Sequence, residues 1–223
     1  KMVILVFDTE TTGLPIKDEY GRNPSIYKHK SWPHVLQLSF VMYDSEKNLL
    51  LSAHDYIIKL NKNVEISQES INVHNITRKI SEKTGTKIKP ILEIFNKCLL
   101  EADVIVAHNI RFDMQMIMVE GIRNGIQMKF AESDTKKVRE KYCTMKNGID
   151  ICKIVKTNKF GGEYFKFPKL IELHHKLFGN EPSNLHNAFY DILICLRCYC
   201  KMANNIDIYH ESPKINSLLK VCF

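Results

Sequence analysis

Two acidic residues stand two positions apart where an apolar run of the sequence ends. Asp8 and Glu10 follow residues 3–7, a continuous β-rich segment of the kind that forms a strand buried on both faces. Alternate residues of a strand share a face, so both carboxylates project to the same side. Two like charges are costly to desolvate there unless a cation neutralises them, and oxygen ligands are what Mg²⁺ or Mn²⁺ prefer. Taken alone, such a pair is more often a solvated strand end than a metal site.

A second group of polar residues follows a later strand. His108, Asn109 and Asp113 lie where a short buried strand, residues 103–107, passes into a predicted helix. Open α/β sheets tend to place ligand sites at such junctions, and the helix dipole favours a carboxylate in the first turn. The alternative is that Asp113 only stabilises the helix and His108 is a satisfied structural residue.

A third group opens the helix predicted over residues 187–203. Asp191 lies within a turn of Ala188 and Cys195, close to the apolar stripe, where a carboxylate needs a cation or strong donors. His186, just upstream, could reach the same place as a general base. A lone histidine near a helix start is otherwise more often a capping or surface residue.

In this order, the strings FDTETTGL, HNIRFD and HNAFYD resemble the motifs of the DEDDh branch of the DEDD exonuclease superfamily. This is the DnaQ-like family of 3′→5′ exonucleases, which includes polymerase proofreading subunits and free-standing enzymes. The resemblance covers roughly residues 2–203. Residues 73–77 are also similar to the family's V-H-G-I-T, with Asn75 in place of glycine. His186 assigns the chain to this branch, because the sister branch has a tyrosine at another spacing.

The resemblance implies an RNase H-like fold and a mechanism with two divalent metal ions, Mg²⁺ or Mn²⁺. Asp8, Glu10 and Asp191 would hold the ion that activates the attacking water. Asp8 would also touch the second ion, which Asp113 reaches through water. His186 would take the proton from the nucleophilic water. Two such ions clamp the attacking and leaving oxygens of an in-line displacement.

The resemblance also implies five contacts to the nucleic acid. Thr11 and Leu14 would line the pocket for the 3′-terminal nucleotide, with Leu14 packed on its base. His108, Asn109 and Phe112 would contact the terminal or penultimate nucleotide. A stacking face and an apolar wedge are what separate an unpaired end from a duplex. For Leu14 and Phe112 the alternative is plain core packing.

The elements that must position these residues predict a single mixed sheet. Strands are expected over residues 3–7, 35–43, 49–60 and 103–107, and helices over residues 88–101, 110–125, 168–178 and 187–203. Short links between the first three strands predict an antiparallel meander. These elements predict the α/β class with one mixed sheet. The family resemblance implies in addition that this is an RNase H-like mixed five-stranded sheet flanked by helices. Residues 1–203 would form the exonuclease domain and 204–223 a C-terminal tail docked on it.

Composition adds weaker constraints. The 223 residues include 32 Lys and Arg against 25 Asp and Glu, a net charge of +7 that mildly favours polyanions. Seven cysteines, with no repeated C-x-x-C pair, favour a reduced, intracellular protein of the cytoplasm or nucleus. Abundant Lys, Ile and Asn hint at an AT-rich genome, such as that of a parasite or a large DNA virus. We find no signal peptide after Met2 and no apolar run that could span a membrane.

The expected function is a metal-dependent 3′→5′ exonuclease that prefers single-stranded DNA or frayed ends and releases nucleoside 5′-monophosphates. The same chemistry on RNA is an alternative, because the surroundings of the terminal 2′-hydroxyl cannot be read from the sequence. A non-catalytic module that binds nucleic acid or a polymerase is another, although a binder has no need of four repelling acids. A DNA polymerase, or another replication or repair partner, would be a separate chain.

Two basic segments remain open to more than one interpretation. Residues 159–167 (KFGGEYFKF) interleave lysines and aromatics around a Gly-Gly turn. They form either a loop that guides a nucleic-acid strand or a hairpin packed by its own aromatics. The run that contains Lys136, Lys137, Arg139 and Lys141 either touches phosphates or is a solvated face.

Overall fold

The structure, a computed structural model, describes residues 2–131, 139–183 and 187–223. The strands in these ranges are β1 (Val3–Thr11), β2 (Val35–Asp44), β3 (Leu49–Ile57), β4 (Val104–Ala107), β5 (Glu140–Cys143), β6 (Val155–Thr157) and β7 (Glu163–Phe165). The helices are α1 (Gln68–His74), α2 (Arg78–Thr84), α3 (Ile88–Glu101), α4 (Ile110–Arg123), α5 (Thr144–Asn147), α6 (Ile149–Cys152), α7 (Leu170–Phe178), α8 (Ala188–Asn204), α9 (Ile208–Glu211) and α10 (Pro213–Leu219). None of these described helices is both long and apolar enough to cross a membrane.

Five strands form one mixed sheet in the order β3-β2-β1-β4-β5. The pairs β1–β2 and β2–β3 are antiparallel, whereas β1–β4 and β4–β5 are parallel. This topology confirms the predicted fold class. β4 pairs with β1 only from Ile4 to Val6, while β1 continues to Thr11. The last residues of β1 therefore project past the point where β4 ends and α4 begins.

The central strand β1 packs against a different helical layer on each face. Val3, Leu5 and Phe7 belong to the core that includes residues of α3 and α4. Ile4 and Val6 belong to the core built mainly by α8. The pleat alternates in this way because successive side chains of a strand point to opposite faces. This alternation determines which helix the side chain of each later residue of β1 faces.

The C-terminal residues complete the α8 layer. Ile208 of α9 and Leu219 of α10 are buried in the same core as α8. Arg197, on α8, makes a bidentate ion pair with Asp207, with Nε–Oδ1 and Nη2–Oδ2 distances of 2.8 and 2.7 Å. Its guanidinium also lies 4.0 Å from the centroid of the Phe178 ring. Such a buried charge is tolerated because the carboxylate and the ring face compensate it. All seven cysteines of the chain are free thiols.

Two local expectations differ from the structure. Alternation along the strand predicted over residues 35–43 places Gln37 and Ser39 on the face opposite the apolar side chains, yet all ten residues of β2 are buried. Gln37 Nε2 and Ser39 Oγ each donate to Asp55 Oδ1 at 2.7 Å, so a carboxylate on the neighbouring strand satisfies these buried groups. The helix expected from residue 168 begins only at Leu170, whereas its predicted end at residue 178 is confirmed, and Gly179 follows with φ 79°.

Candidate active site

Three carboxylates converge at the end of β1, on the side covered by α8. Asp8 and Glu10 are alternate residues of the strand and continue the face of Val6. Asp191 lies in the first turn of α8, whose N-terminus is capped by the side chain of Asn187. One oxygen of each carboxylate lies within 4.8 Å of the other two. Among the described residues, this is the one group of three or more His, Cys, Asp or Glu side chains that could share a metal ion.

Asp113 reaches the same end of β1 from the α4 side. Thr9 stands between the two acids of β1, so the pleat turns its side chain toward α4. Its hydroxyl donates to Asp113 Oδ1 at 2.7 Å, and its N–H donates to the same oxygen at 3.2 Å. Thr9 is not among the residues predicted from the sequence. Its position between Asp8 and Glu10 is the signal that could have identified it.

Burial and mutual repulsion raise the pKa values of this cluster. Burial first, then the charges of Asp113, Asp191 and Glu10, raise the pKa of Asp8 well above its usual range. Burial, followed by Asp191 and Asp113, raises the pKa of Glu10 to about 8. Burial also raises the pKa of Asp113 to about 7, although the hydrogen bonds from Thr9 lower it. A divalent cation would relieve this repulsion, and an all-oxygen donor set suits a hard ion, so the residues fit a divalent metal.

His108, on the wall of the site, has a protein partner for each ring nitrogen. Nδ1 lies 2.9 Å from Thr144 Oγ1, and Nε2 lies 3.1 Å from the carbonyl oxygen of Pro168. Because a carbonyl only accepts, Nε2 carries the proton and Nδ1 accepts from the threonine hydroxyl. Burial lowers the pKa of His108 to about 4, so the ring is neutral at pH 7. His108 therefore ties the end of β4 to the residues that precede α7.

A cavity of about 830 Å³ opens in front of Asp8 and Asp191. Pockets of this size hold small organic ligands. Its other walls are formed by His108, Asn109, Met145, Phe167, Pro168, Lys169, Leu170, Ile171 and Pro182.

A second cavity, of about 250 Å³, is also lined by Asn109. Leu14 and Phe112 line it as well, and Lys17 and Arg111 add positive charge. Leu14 is 77% exposed, which excludes the alternative of core packing for this residue. Phe112 is half-buried and packs against the core beneath α4. The cavity thus combines apolar surface with cationic side chains.

Asn109 stands between the two cavities in a left-handed conformation, with φ 78° and ψ 44°. Asparagine tolerates this region better than most residues with a side chain. Non-glycine residues in such conformations cluster at functional sites. The Asn109 side chain makes no capping bond to α4, so the helix does not account for its identity.

Unlike Leu14, Thr11 is enclosed by the protein. It is buried, its hydroxyl donates to the carbonyl of Gly13 at 2.7 Å, and its own carbonyl is 3.2 Å from His74 Nε2. The His74 Nδ1 accepts from the N–H of Ile76 at 3.0 Å. Thr11 and His74 therefore shape the turn that presents Leu14.

Some predicted residues lie outside the described ranges. These are His186, the expected general base, and the lysines Lys136 and Lys137. Arg139 is described and is buried, with its guanidinium bonded to main-chain carbonyls that include Lys129 O at 2.5 Å. A phosphate contact by Arg139 is therefore excluded in this structure.

Comparisons with known proteins identify the family and the fold of the chain. A family model named RNase T and described as an exonuclease matches residues 5–199. No curated protein sequence matches the chain. Escherichia coli exonuclease I in complex with a dT13 oligonucleotide superimposes with a TM-score of 0.65 and 16% identity, over 90% of this chain and 41% of that one. Its complex with dA16 gives a TM-score of 0.63 and 16% identity, over 98% of this chain and 46% of that one.

A zinc-bound form of the same bacterial enzyme with single-stranded DNA gives a TM-score of 0.64 and 15% identity, over 95% of this chain and 42% of that one. At these identities the likeness shows a shared fold. The chain spans less than half the length of the exonuclease I structures.

Proposed function

The chain belongs to the RNase T exonuclease family, and we propose that it is a metal-dependent enzyme that removes nucleotides from the 3′ end of DNA. Its substrates would be single strands or frayed duplex ends, and its products nucleoside 5′-monophosphates. The observation that carries this proposal is the convergence of Asp8, Glu10 and Asp191 within 4.8 Å, beside Asp113. A module that only bound nucleic acid would gain nothing from carboxylates that repel one another.

The carboxylates account for the metal requirement. Asp8, Glu10 and Asp191 would hold one Mg²⁺ or Mn²⁺ ion, and Asp8 with Asp113 a second. When bound, the ions stabilise the attacking and leaving oxygens of an in-line displacement at phosphorus. The carboxylates would bind and orient the ions, and Thr9 keeps the Asp113 carboxylate oriented and its pKa lower than burial alone would leave it.

We assign proton transfer from the attacking water to His186. It directly precedes Asn187, the residue that caps α8, and Asp191 follows it on the first turn of that helix. His108 is a poor base, because both of its ring nitrogens are bonded and burial lowers its pKa to about 4. A His186→Ala substitution should lower kcat by about 100-fold or more, the usual contribution of a general base.

The two cavities on either side of Asn109 would receive the last two nucleotides. Leu14 and Phe112 offer apolar surface for the bases, and Lys17 and Arg111 offer charge for phosphates. Structures of this fold that are bound to dT13 and dA16 support single-stranded DNA as the substrate class. RNA is the competing substrate class.

The test uses a 5′-labelled single-stranded DNA oligonucleotide and an RNA of the same sequence, each with Mg²⁺ or Mn²⁺. We expect a ladder that shortens from the 3′ end of the DNA, faster than for RNA, and no ladder in EDTA or with Asp191→Asn. Glu93→Gln, which alters an exposed carboxylate of α3, is the matched control and should keep full activity. Loss of label from the 5′ end, or internal cuts, would contradict the proposed polarity. Faster RNA degradation would contradict the DNA assignment.

A further inference from the structure

The strands β6 and β7 form a hairpin outside the main sheet, which we call the lysine–aromatic hairpin (residues 153–169). All six of its strand residues are exposed. Its turn is nevertheless well organised, because Asn158 Oδ1 accepts from the N–H of Phe160 at 2.8 Å and of Gly162 at 3.1 Å. Gly161 supports the turn with φ 83°. An isolated two-stranded hairpin is only marginally stable, and this one buries none of its strand residues.

The hairpin exposes four aromatic rings. Phe160 is 85% exposed at the turn, Tyr164 and Phe165 are 47% and 46% exposed on β7, and Phe167 is 55% exposed just beyond. These rings are not packed by one another into a self-contained hairpin, which excludes that interpretation of the sequence. Exposed rings on one short element are typical of a surface that stacks a ligand.

The same element is strongly basic. Residues 153–169 contain five lysines and one glutamate, so they account for a net +4 of the chain's +7. Lys166 is engaged with Glu172 at 2.5 Å, whereas Lys156 and Lys159 are exposed on the hairpin itself. Lys156 lies opposite Tyr164 in the strand register, and Lys159 Nζ lies 5.0 Å from the centroid of the Phe160 ring. Each of these two rings thus has a cation beside it.

The hairpin leads directly into the catalytic cavity. Phe167, two residues after β7, lines the cavity together with Asp8 and Asp191. Pro168 and Lys169 continue the same wall. The wall of the cavity is therefore contiguous with β7 along the chain.

From this juxtaposition we propose that the lysine–aromatic hairpin binds the single-stranded nucleic acid upstream of the two terminal nucleotides. Bases stack on Phe160 and Tyr164, and Lys156 and Lys159 contact the phosphates between them. The proposal rests on the proposed function and extends it, because it gives the strand a path outside the cavity. It makes the affinity for substrate depend on strand length.

The test compares a long oligonucleotide, dT20, with dT3, which extends only one nucleotide beyond the two that the cavities would receive. The Phe160→Ala/Tyr164→Ala variant removes two exposed rings that support no core. We expect KM for dT20 to rise at least about fivefold, the effect of losing one stacked base, with kcat and all constants for dT3 unchanged. Leu51→Ala, which removes an exposed apolar side chain from the edge strand β3, is the control and should change neither substrate.

A second readout does not depend on cleavage. The Kd of fluorescein-labelled dT20, measured by anisotropy in Ca²⁺, should rise by the same factor in the double-ring variant. A Lys156→Gln/Lys159→Gln variant should lower the slope of log Kd against log salt concentration by about 1.4, the value for two phosphate contacts on a single strand.

An unchanged KM and Kd for dT20 would overturn the proposal. An equal loss on dT3 and dT20 would also overturn it, because the hairpin would then act inside the cavity. If the wild type degrades neither oligonucleotide, the proposed function fails. The anisotropy measurement then still decides whether the hairpin binds single-stranded nucleic acid.

Discussion

The hydroxyl of Thr9 donates to the Asp113 carboxylate at 2.7 Å, and the main-chain N–H of Thr9 donates to the same oxygen. These two bonds join β1, which carries Asp8 and Glu10, to α4, which carries the fourth carboxylate. Because side chains alternate along β1, its two acids face α8 and the residue between them faces α4. Asp113 is held beside the other acids by a neutral side chain that the motif spacing alone does not reveal.

Thr9→Val keeps the shape of the side chain and removes the hydroxyl donor, while the main-chain N–H donor remains. Because the bonds from Thr9 lower the pKa of Asp113 against the effect of burial, we expect that pKa to rise above about 7. The acidic limb of the pH profile of kcat/KM should then move to higher pH. The value at pH 7 should fall roughly 10- to 100-fold, as for the loss of a hydrogen bond to a charged group. Thr9→Ser retains the hydroxyl and should restore the wild-type profile; a Thr9→Val profile that matches the wild type would exclude this role.

Glu10→Gln tests how far ionisation of the carboxylate cluster, in the absence of metal, lowers the free energy of unfolding. The pKa of Glu10 in the folded protein is about 8, above its ordinary value of 4.5, so the folded state binds this proton more tightly than the unfolded state. The free energy of unfolding in EDTA should therefore fall as pH rises from about 4.5 to about 8. At pH 8.5 the variant should be more stable than wild type by more than about 1 kcal/mol, because one pKa unit corresponds to about 1.4 kcal/mol.

Urea unfolding of both proteins in EDTA, at pH 4 and pH 8.5, measures this difference. Glu93→Gln should show no such pH-dependent gain, because Glu93 is exposed on α3. Added Mn²⁺ should raise the melting temperature of the wild type more than that of Glu10→Gln. Equal stability of Glu10→Gln and wild type at pH 8.5 would mean that the carboxylates are not crowded in solution.

Two substitutions at Asn109 distinguish the left-handed backbone conformation that the fold requires from a side-chain contact with the substrate. Asn109→Ala should destabilise the protein by about 1 kcal/mol, because alanine is strained at φ 78°. Asn109→Gly relieves the strain and should unfold like the wild type, yet it removes the side chain from both cavities and should raise KM. Unfolding by urea and steady-state kinetics on dT20 give the two readouts. A KM unchanged in Asn109→Gly would remove Asn109 from the substrate site.

Local pattern predicts the α/β class and the pairing of Asp8 with Glu10, whereas the convergence of these acids with Asp113 and Asp191 was implied by the resemblance to the family. Strand alternation puts Asp8 and Glu10 on one face, and the three motifs follow strand ends and helix starts. Asn75 shows the same local logic, since it replaces the family glycine where the chain takes φ 60°, a conformation that asparagine tolerates.

Long-range partners were not predictable in the same way. The partners of His108, Thr144 and Pro168, lie 36 and 60 residues away in the chain, and nothing in the local spacing indicates them. The complete burial of β2 depends likewise on Asp55 of the adjacent strand. Tertiary packing, which no single segment encodes, decided both.

We propose that four carboxylates form one metal-dependent catalytic centre, in which the Asp8 carboxylate is repelled by the charges of the other three. The most direct test is the rate of dT20 cleavage by wild type and Asp8→Asn across a range of Mg²⁺ and Mn²⁺ concentrations. Melting curves verify the fold, and Asp150→Asn, at an exposed site on α6, serves as the control. We predict no cleavage by the wild type without metal and a loss of about 1,000-fold or more in Asp8→Asn at every metal concentration. Cleavage by folded Asp8→Asn within about tenfold of the wild type would contradict the account.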